Sequence, residues 1–157
     1  MKTSCKRILA FFLWCSLLVV MLSSLSGCTG IKHEEAKEIM VKFFDALQEK
    51  NYEKAESYFH PWAFSEGVVQ KGELEQIMET AKQDGIDFTS GYEIVRYTSI
   101  SFRASIGAST YNCTAEMKTG NTSFTVEMAF YRDNSAIGIT AFYMQKNQEN
   151  QAPGQTI

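Results

Sequence analysis

Tyr111-Asn112-Cys113-Thr114-Ala115-Glu116-Met117-Lys118-Thr119-Gly120-Asn121-Thr122-Ser123-Phe124-Thr125-Val126-Glu127-Met128-Ala129-Phe130 is the stretch on which the fold turns. Before Gly120-Asn121 the odd positions Tyr111, Cys113, Ala115 and Met117 are apolar; after it the even positions Phe124, Val126, Met128 and Phe130 are. A period of two marks half-buried strands, and a glycine-containing dipeptide between them marks a hairpin. A two-residue loop at Gly120-Asn121 sets Met117 opposite Phe124, Ala115 opposite Val126, Cys113 opposite Met128 and Tyr111 opposite Phe130, all on one face. A slip of one residue would turn this whole row to water, so loop chemistry and hydrophobic pattern specify the same register independently.

Toward the C-terminus, a second loop at Asp133-Asn134 predicts Phe130 opposite Ile137, Met128 opposite Ile139, Val126 opposite Ala141 and Phe124 opposite Tyr143, which leaves Phe142 and Met144 on the outer row. Toward the N-terminus, the even positions Tyr92, Ile94, Ile100 and Phe102 predict an earlier strand whose inward row also carries Arg96 and Thr98. The result is a four-stranded antiparallel meander with one apolar face that needs a cover.

The cover lies upstream. Ala36, Ile39, Met40, Phe43, Phe44 and Leu47 recur at threes and fours and predict a helix over 34–50. Asn51 is placed to cap a second, shorter helix marked by Tyr52, Ala55, Tyr58 and Phe59, which His60-Pro61 closes. A loop with Trp62 and Phe64 follows, then a third helix over 71–83 with Leu74, Ile77, Met78 and Ala81 on one stripe and Gly85 to stop it. The expected fold class is α+β: three N-terminal helices packed on a curved antiparallel sheet.

The first 27 residues read differently. Lys2, Lys6 and Arg7 precede a run from Ile8 to Leu22 that is apolar except for Ser16, the length of a signal-peptide core and shorter than the roughly 20 residues of a spanning helix. Leu25-Ser26-Gly27-Cys28 then resembles the lipobox of bacterial lipoproteins. That resemblance implies cleavage between Gly27 and Cys28, lipid on the Cys28 thiol, and anchoring at the outer face of the cell membrane or outer membrane. The alternative is an ordinary secretory signal cut near Ser26. The expected organisation is a signal peptide over 1–27, a lipidated tether over 28–33, one domain over 34–146, and a polar, disordered tail over 147–157.

Charge and cysteines narrow the class further. The chain carries a net charge of −3, and removing a leader with three basic residues and no acid lowers it by three more. An acidic body lacks the electrostatic footprint of nucleic-acid binding. Cys5 and Cys15 fall in the leader and Cys28 at its end, so Cys113 is the one body cysteine; no intradomain disulfide forms, and Cys113 on an inward row reads as a small buried hydrophobe.

The order of helix, short helix after Asn51-Tyr52-Glu53-Lys54-Ala55, aromatic loop, third helix and meander is similar to the nuclear transport factor 2-like, cystatin-like superfamily. The resemblance implies a cone whose curved sheet wraps the first helix and leaves a pocket at the wide end. Its candidate lining is His60, Trp62, Tyr92, Arg96, Tyr111 and Tyr143. Some members are proton-transfer enzymes, such as ketosteroid isomerase; here that chemistry would use tyrosines and Arg96 with His60 as base. Yet the inward rows hold neither Asp nor His, the usual proton-transfer groups. One body histidine and one cysteine do not make a metal site, and no phosphate-binding glycine loop occurs, so no cofactor is expected. The leading expectation is a non-catalytic binding or interaction module for a small apolar ligand, a peptide or an envelope protein. An isomerase- or dehydratase-type enzyme is the alternative. Phe142 and Met144 on the outer row would suit a homodimer.

Overall fold

A computed structural model describes residues 30–105 and 108–147, with 100–105 as backbone only. The leader, Cys28 and the segment 148–157 lie outside the described residues, and with them the expectations placed there. The fold is α+β, with four helices, a 3-10 turn and a four-stranded antiparallel sheet of order β1-β2-β3-β4.

Helix α1 spans His33–Gln48 and buries Ala36, Met40, Phe43, Phe44, Ala46 and Leu47. Lys50 ends it in the left-handed region (φ 55°). Asn51 then caps α2 (Tyr52–Glu56), its side chain accepting the Lys54 amide at 3.1 Å. Ile31 is only 3% exposed, so the body begins before the expected tether has ended.

Pro61 does not close a helix but opens one. It fits the first turn of α3 (Pro61–Ser65), where its missing N–H has no role to fill. The expected aromatic loop is therefore a fourth helix, capped by the His60 side chain. Helix α4 (Glu73–Gln83) buries Leu74, Met78 and Ala81 and stops before Gly85, which has a φ of +87°. A 3-10 turn at Phe88–Ser90 leads into the sheet.

Strands β2 (Ala108–Thr119) and β3 (Thr122–Arg132) pair in the expected register, with Tyr111, Cys113, Ala115 and Met117 opposite Phe130, Met128, Val126 and Phe124. Gly120 supplies the positive φ (+56°) that a II′ hairpin requires at its first central residue.

The outer strands depart from strict alternation. In β1 (Glu93–Ser105) one register shift falls between Ile94 and Arg96 and a second between Ser99 and Ser101. Ile94, on the inward row as expected, faces Met117, but Tyr97 then takes the inward place opposite Ala115. Arg96 and Thr98, expected inside, are exposed instead. In β4 (Ile137–Lys146) the turn runs over four residues, so Ile137 faces Arg132 and Ile139 faces Phe130. A bulge at Ala129/Phe130 then flips the parity, placing Phe142 opposite Met128 and Met144 opposite Val126. Thr140 sits in the bulge, with its hydroxyl donating to the Ala129 carbonyl at 3.3 Å.

Between α1 and the sheet the space is filled ring against ring. Phe43 contacts Phe44, Phe59 and Phe142 at centroid distances of 5.2, 5.7 and 5.3 Å, and Phe44 stacks on Phe88 at 5.2 Å. Phe142, expected on the solvent face, is thus half-buried against the core, while Tyr143, expected inside, is 60% exposed. A homodimer through the outer face no longer has Phe142 and Met144 to rest on.

Candidate functional site

The six residues expected to line one pocket do not come together: Arg96 lies apart on the solvent side, and the other five occupy four separate places. His60 is 3% exposed and works as a cap: its Nδ1 accepts the Trp62 amide at 3.2 Å, and its Nε2 lies 3.5 Å from an Asp133 carboxylate oxygen. With Nδ1 engaged as an acceptor, the ring hydrogen is on Nε2 and faces Asp133. The ring also meets Tyr131 edge-on at 5.1 Å, and Trp62 lies beside the same tyrosine at 6.1 Å. His60 therefore joins α3 to the β3–β4 turn, which is not the geometry of a solvent-reaching base.

Asp133 holds that turn. The Ser135 hydroxyl and the amides of Ser135 and Ala136 all donate to Oδ1, which keeps this carboxyl well below the usual carboxylate range.

Tyr92 belongs to a second place, beside Phe44 and Phe88. Its hydroxyl donates to Asp45 at 2.7 Å and to the Val41 carbonyl at 3.2 Å; burial first, then the Asp45 carboxylate, raises its pKa far above that of a free phenol. Asp45, on α1, is its partner. Arg96 is on the solvent side, 3.5 Å from Glu116.

Tyr111 forms part of a third cluster that the pattern did not foretell. His33, expected in the tether, opens α1 and brings its Nδ1 to 2.8 Å from the Tyr111 hydroxyl. The Tyr97 hydroxyl is 3.5 Å from that of Tyr111, and the His33 ring meets Tyr97 edge-on at 4.8 Å. Burial is the main reason the Tyr97 phenol stays protonated far above its ordinary range; bonds to Tyr111 and the Cys113 thiol add to it. Burial likewise raises the Cys113 thiol, so it is no ready nucleophile. Arg132 and Glu35 form an ion pair at the same end of the strands. The signal that could have located this cluster was the helical phase of His33, three positions before Ala36.

Tyr143 marks the fourth place. Across the outer face, Asn112, Ala129 and Ala141 stand in one cross-strand row and Thr114, Glu127 and Tyr143 in another. Between them lies a depression of about 300 Å³, at the small end of the range for ligand sites. Its shape follows from small side chains: two alanines on adjacent strands leave the sheet bare, and the Tyr143 ring forms a wall. A groove of about 310 Å³ runs between α4 and β4, lined by Ile77, Ala81, Phe142 and Met144 among others.

Among the described residues no three His, Cys, Asp or Glu side chains converge as metal ligands, and no helix is long and apolar enough to cross a membrane. The chain matches no family model, no curated protein and no solved structure.

Proposed function

We propose that this chain is an extracytoplasmic lipoprotein whose α+β body, held to a membrane through Cys28, is a non-catalytic module that binds a peptide or another envelope protein. Support for the anchor comes from the order of basic start, apolar run and Leu25-Ser26-Gly27-Cys28. The nuclear transport factor 2-like reading is favoured by a long α1 lying against one face of an antiparallel meander.

The observation that carries the binding role is the depression on the outer face, walled by Asn112, Thr114, Glu127 and Tyr143. The inward rows are occupied by packed rings, and the ionisable groups beside them are engaged in structural bonds, which favours recognition at the surface over a small apolar ligand held inside. The test places a photo-cross-linking side chain at position 143 in cells. A single discrete adduct, lost on Glu127→Lys, is the expected outcome; an adduct pattern no different from that of the same probe at the exposed position 38 of α1 would refute the role of this face.

One observation favours proton-transfer catalysis instead. His33, Tyr111 and Tyr97 form a linked set, so that reading moves from His60 and Arg96 to these residues. His33→Gln would then abolish turnover of a ketone-type substrate while leaving the fold intact.

A further inference from the structure

We infer that the α3 edge of the domain lies on the bilayer surface, with Trp62 in the headgroup layer. This rests on the reading of Cys28 as the lipid-bearing residue. Three steps of chain separate Cys28 from the buried Ile31, and they reach at most about 11 Å. Whatever the path of those residues, the first turn of α1 is thus confined to the neighbourhood of the headgroups.

The structure says what else is at that end. Glu35, in the first turn of α1, pairs with Arg132 near the C-terminal end of β3. The residue before Arg132 is Tyr131, which Trp62 flanks at 6.1 Å, and the residue after it is Asp133, which His60 faces at 3.5 Å. The first turn of α1 and the start of α3 therefore flank the same three residues of β3 and its turn. An end tethered within about 11 Å of the lipid attachment point carries an indole that is 45% exposed.

Two of the four exposed large hydrophobic residues among those described, Trp62 and Val68, fall in the α3 segment. Both are apolar groups that an interfacial neighbour would cover. Indole suits the headgroup layer because it is apolar in body and carries one N–H donor. Lys71, with its ammonium 6.0 Å over the Phe64 ring, adds an exposed cation at the same segment. The acidic charge of the body argues against attraction to anionic lipid, so a zwitterionic surface is the expected partner.

Trp14 leaves with the leader, so Trp62 is the single tryptophan of the mature chain. The experiment uses the processed, lipidated protein in phosphatidylcholine vesicles, with mass analysis of residue 28 alongside. Lipid brominated near the headgroup should quench Trp62, and iodide quenching from water should fall about twofold or more, because the interface would cover the exposed part of the ring. In the Trp62→Phe, Val95→Trp form the new indole sits near the opposite end of the strands, and iodide, not brominated lipid, should quench it. If the lipid is attached but Trp62 responds to iodide alone, or both positions respond alike, the orientation is wrong while the anchor stands. A bare thiol at residue 28 overturns the anchor and the orientation together.

Discussion

The backbone of His60 lies against Gly138: a Cβ built on that glycine would stand 2.5 Å from the His60 nitrogen and 2.8 Å from its Cα. This approach lets the chain before α3 pair with the edge of β4. The His60 amide donates to the Ile139 carbonyl at 2.8 Å, and the Ile139 amide to the Tyr58 carbonyl at 2.9 Å. The open edge of the sheet is covered there by the same segment that caps α3.

Gly138→Ala should therefore destabilise the body by about 2–3 kcal/mol, since the methyl meets backbone and not a side chain that can swing away. Urea denaturation measures the loss. Ala141→Gly, on the same strand and exposed, provides the comparison and should cost less than half as much.

Replacing His60 by Ala removes the acceptor for the Trp62 amide and the contact with Tyr131, and should cost about 1–2 kcal/mol. His60→Asn, which can still accept that amide, should recover part of the loss. Equal stability of the two variants would mean that the cap contributes nothing.

The bulge at Ala129/Phe130 makes opposite predictions for neighbouring aromatics. Phe142→Ala should cost roughly 2 kcal/mol or more, because its ring packs on Phe43 and Phe59. Tyr143→Ala should change stability by no more than about 0.5 kcal/mol. Reversed values would restore strict alternation in β4.

Acid should act through Asp133. Its folded pKa is depressed by the Ser135 hydroxyl and by the turn amides, so its contribution is complete above the unfolded carboxyl range, about pH 4. It is lost as pH falls through the folded value. The stability gap between the parent and Asp133→Asn should thus be constant at neutral pH and narrow in acid; a gap that persists unchanged to about pH 2 would contradict the assignment.

Alkali should reveal Tyr92 and Tyr97. Their raised folded pKa values mean that the stability they contribute is complete below about pH 10 and falls as pH rises toward the folded values. An absorbance titration should find Tyr92 and Tyr97 ionising late, with the opening of the fold. Tyr97→Phe should remove one of them.

The pattern alone determined much of this architecture. The α1 stripe, the Asn51 cap, the Gly85 stop and the β2–β3 register each rest on local chemistry, in which one placement buries apolar groups and every neighbouring placement exposes them. The β4 register was not legible, because Ile137, Ile139, Ala141 and Tyr143 alternate with Phe142 and Met144 in a run where both parities are apolar. Packing against Phe43 and Phe59 chose between them, through a bulge that no hydrophobic count encodes. The same holds for the polar groups. His33 meets Tyr111 across 78 positions and His60 meets Asp133 across the β3–β4 turn, so only the closing of helix onto sheet, which brings distant segments within bonding range, could decide which side chains become partners.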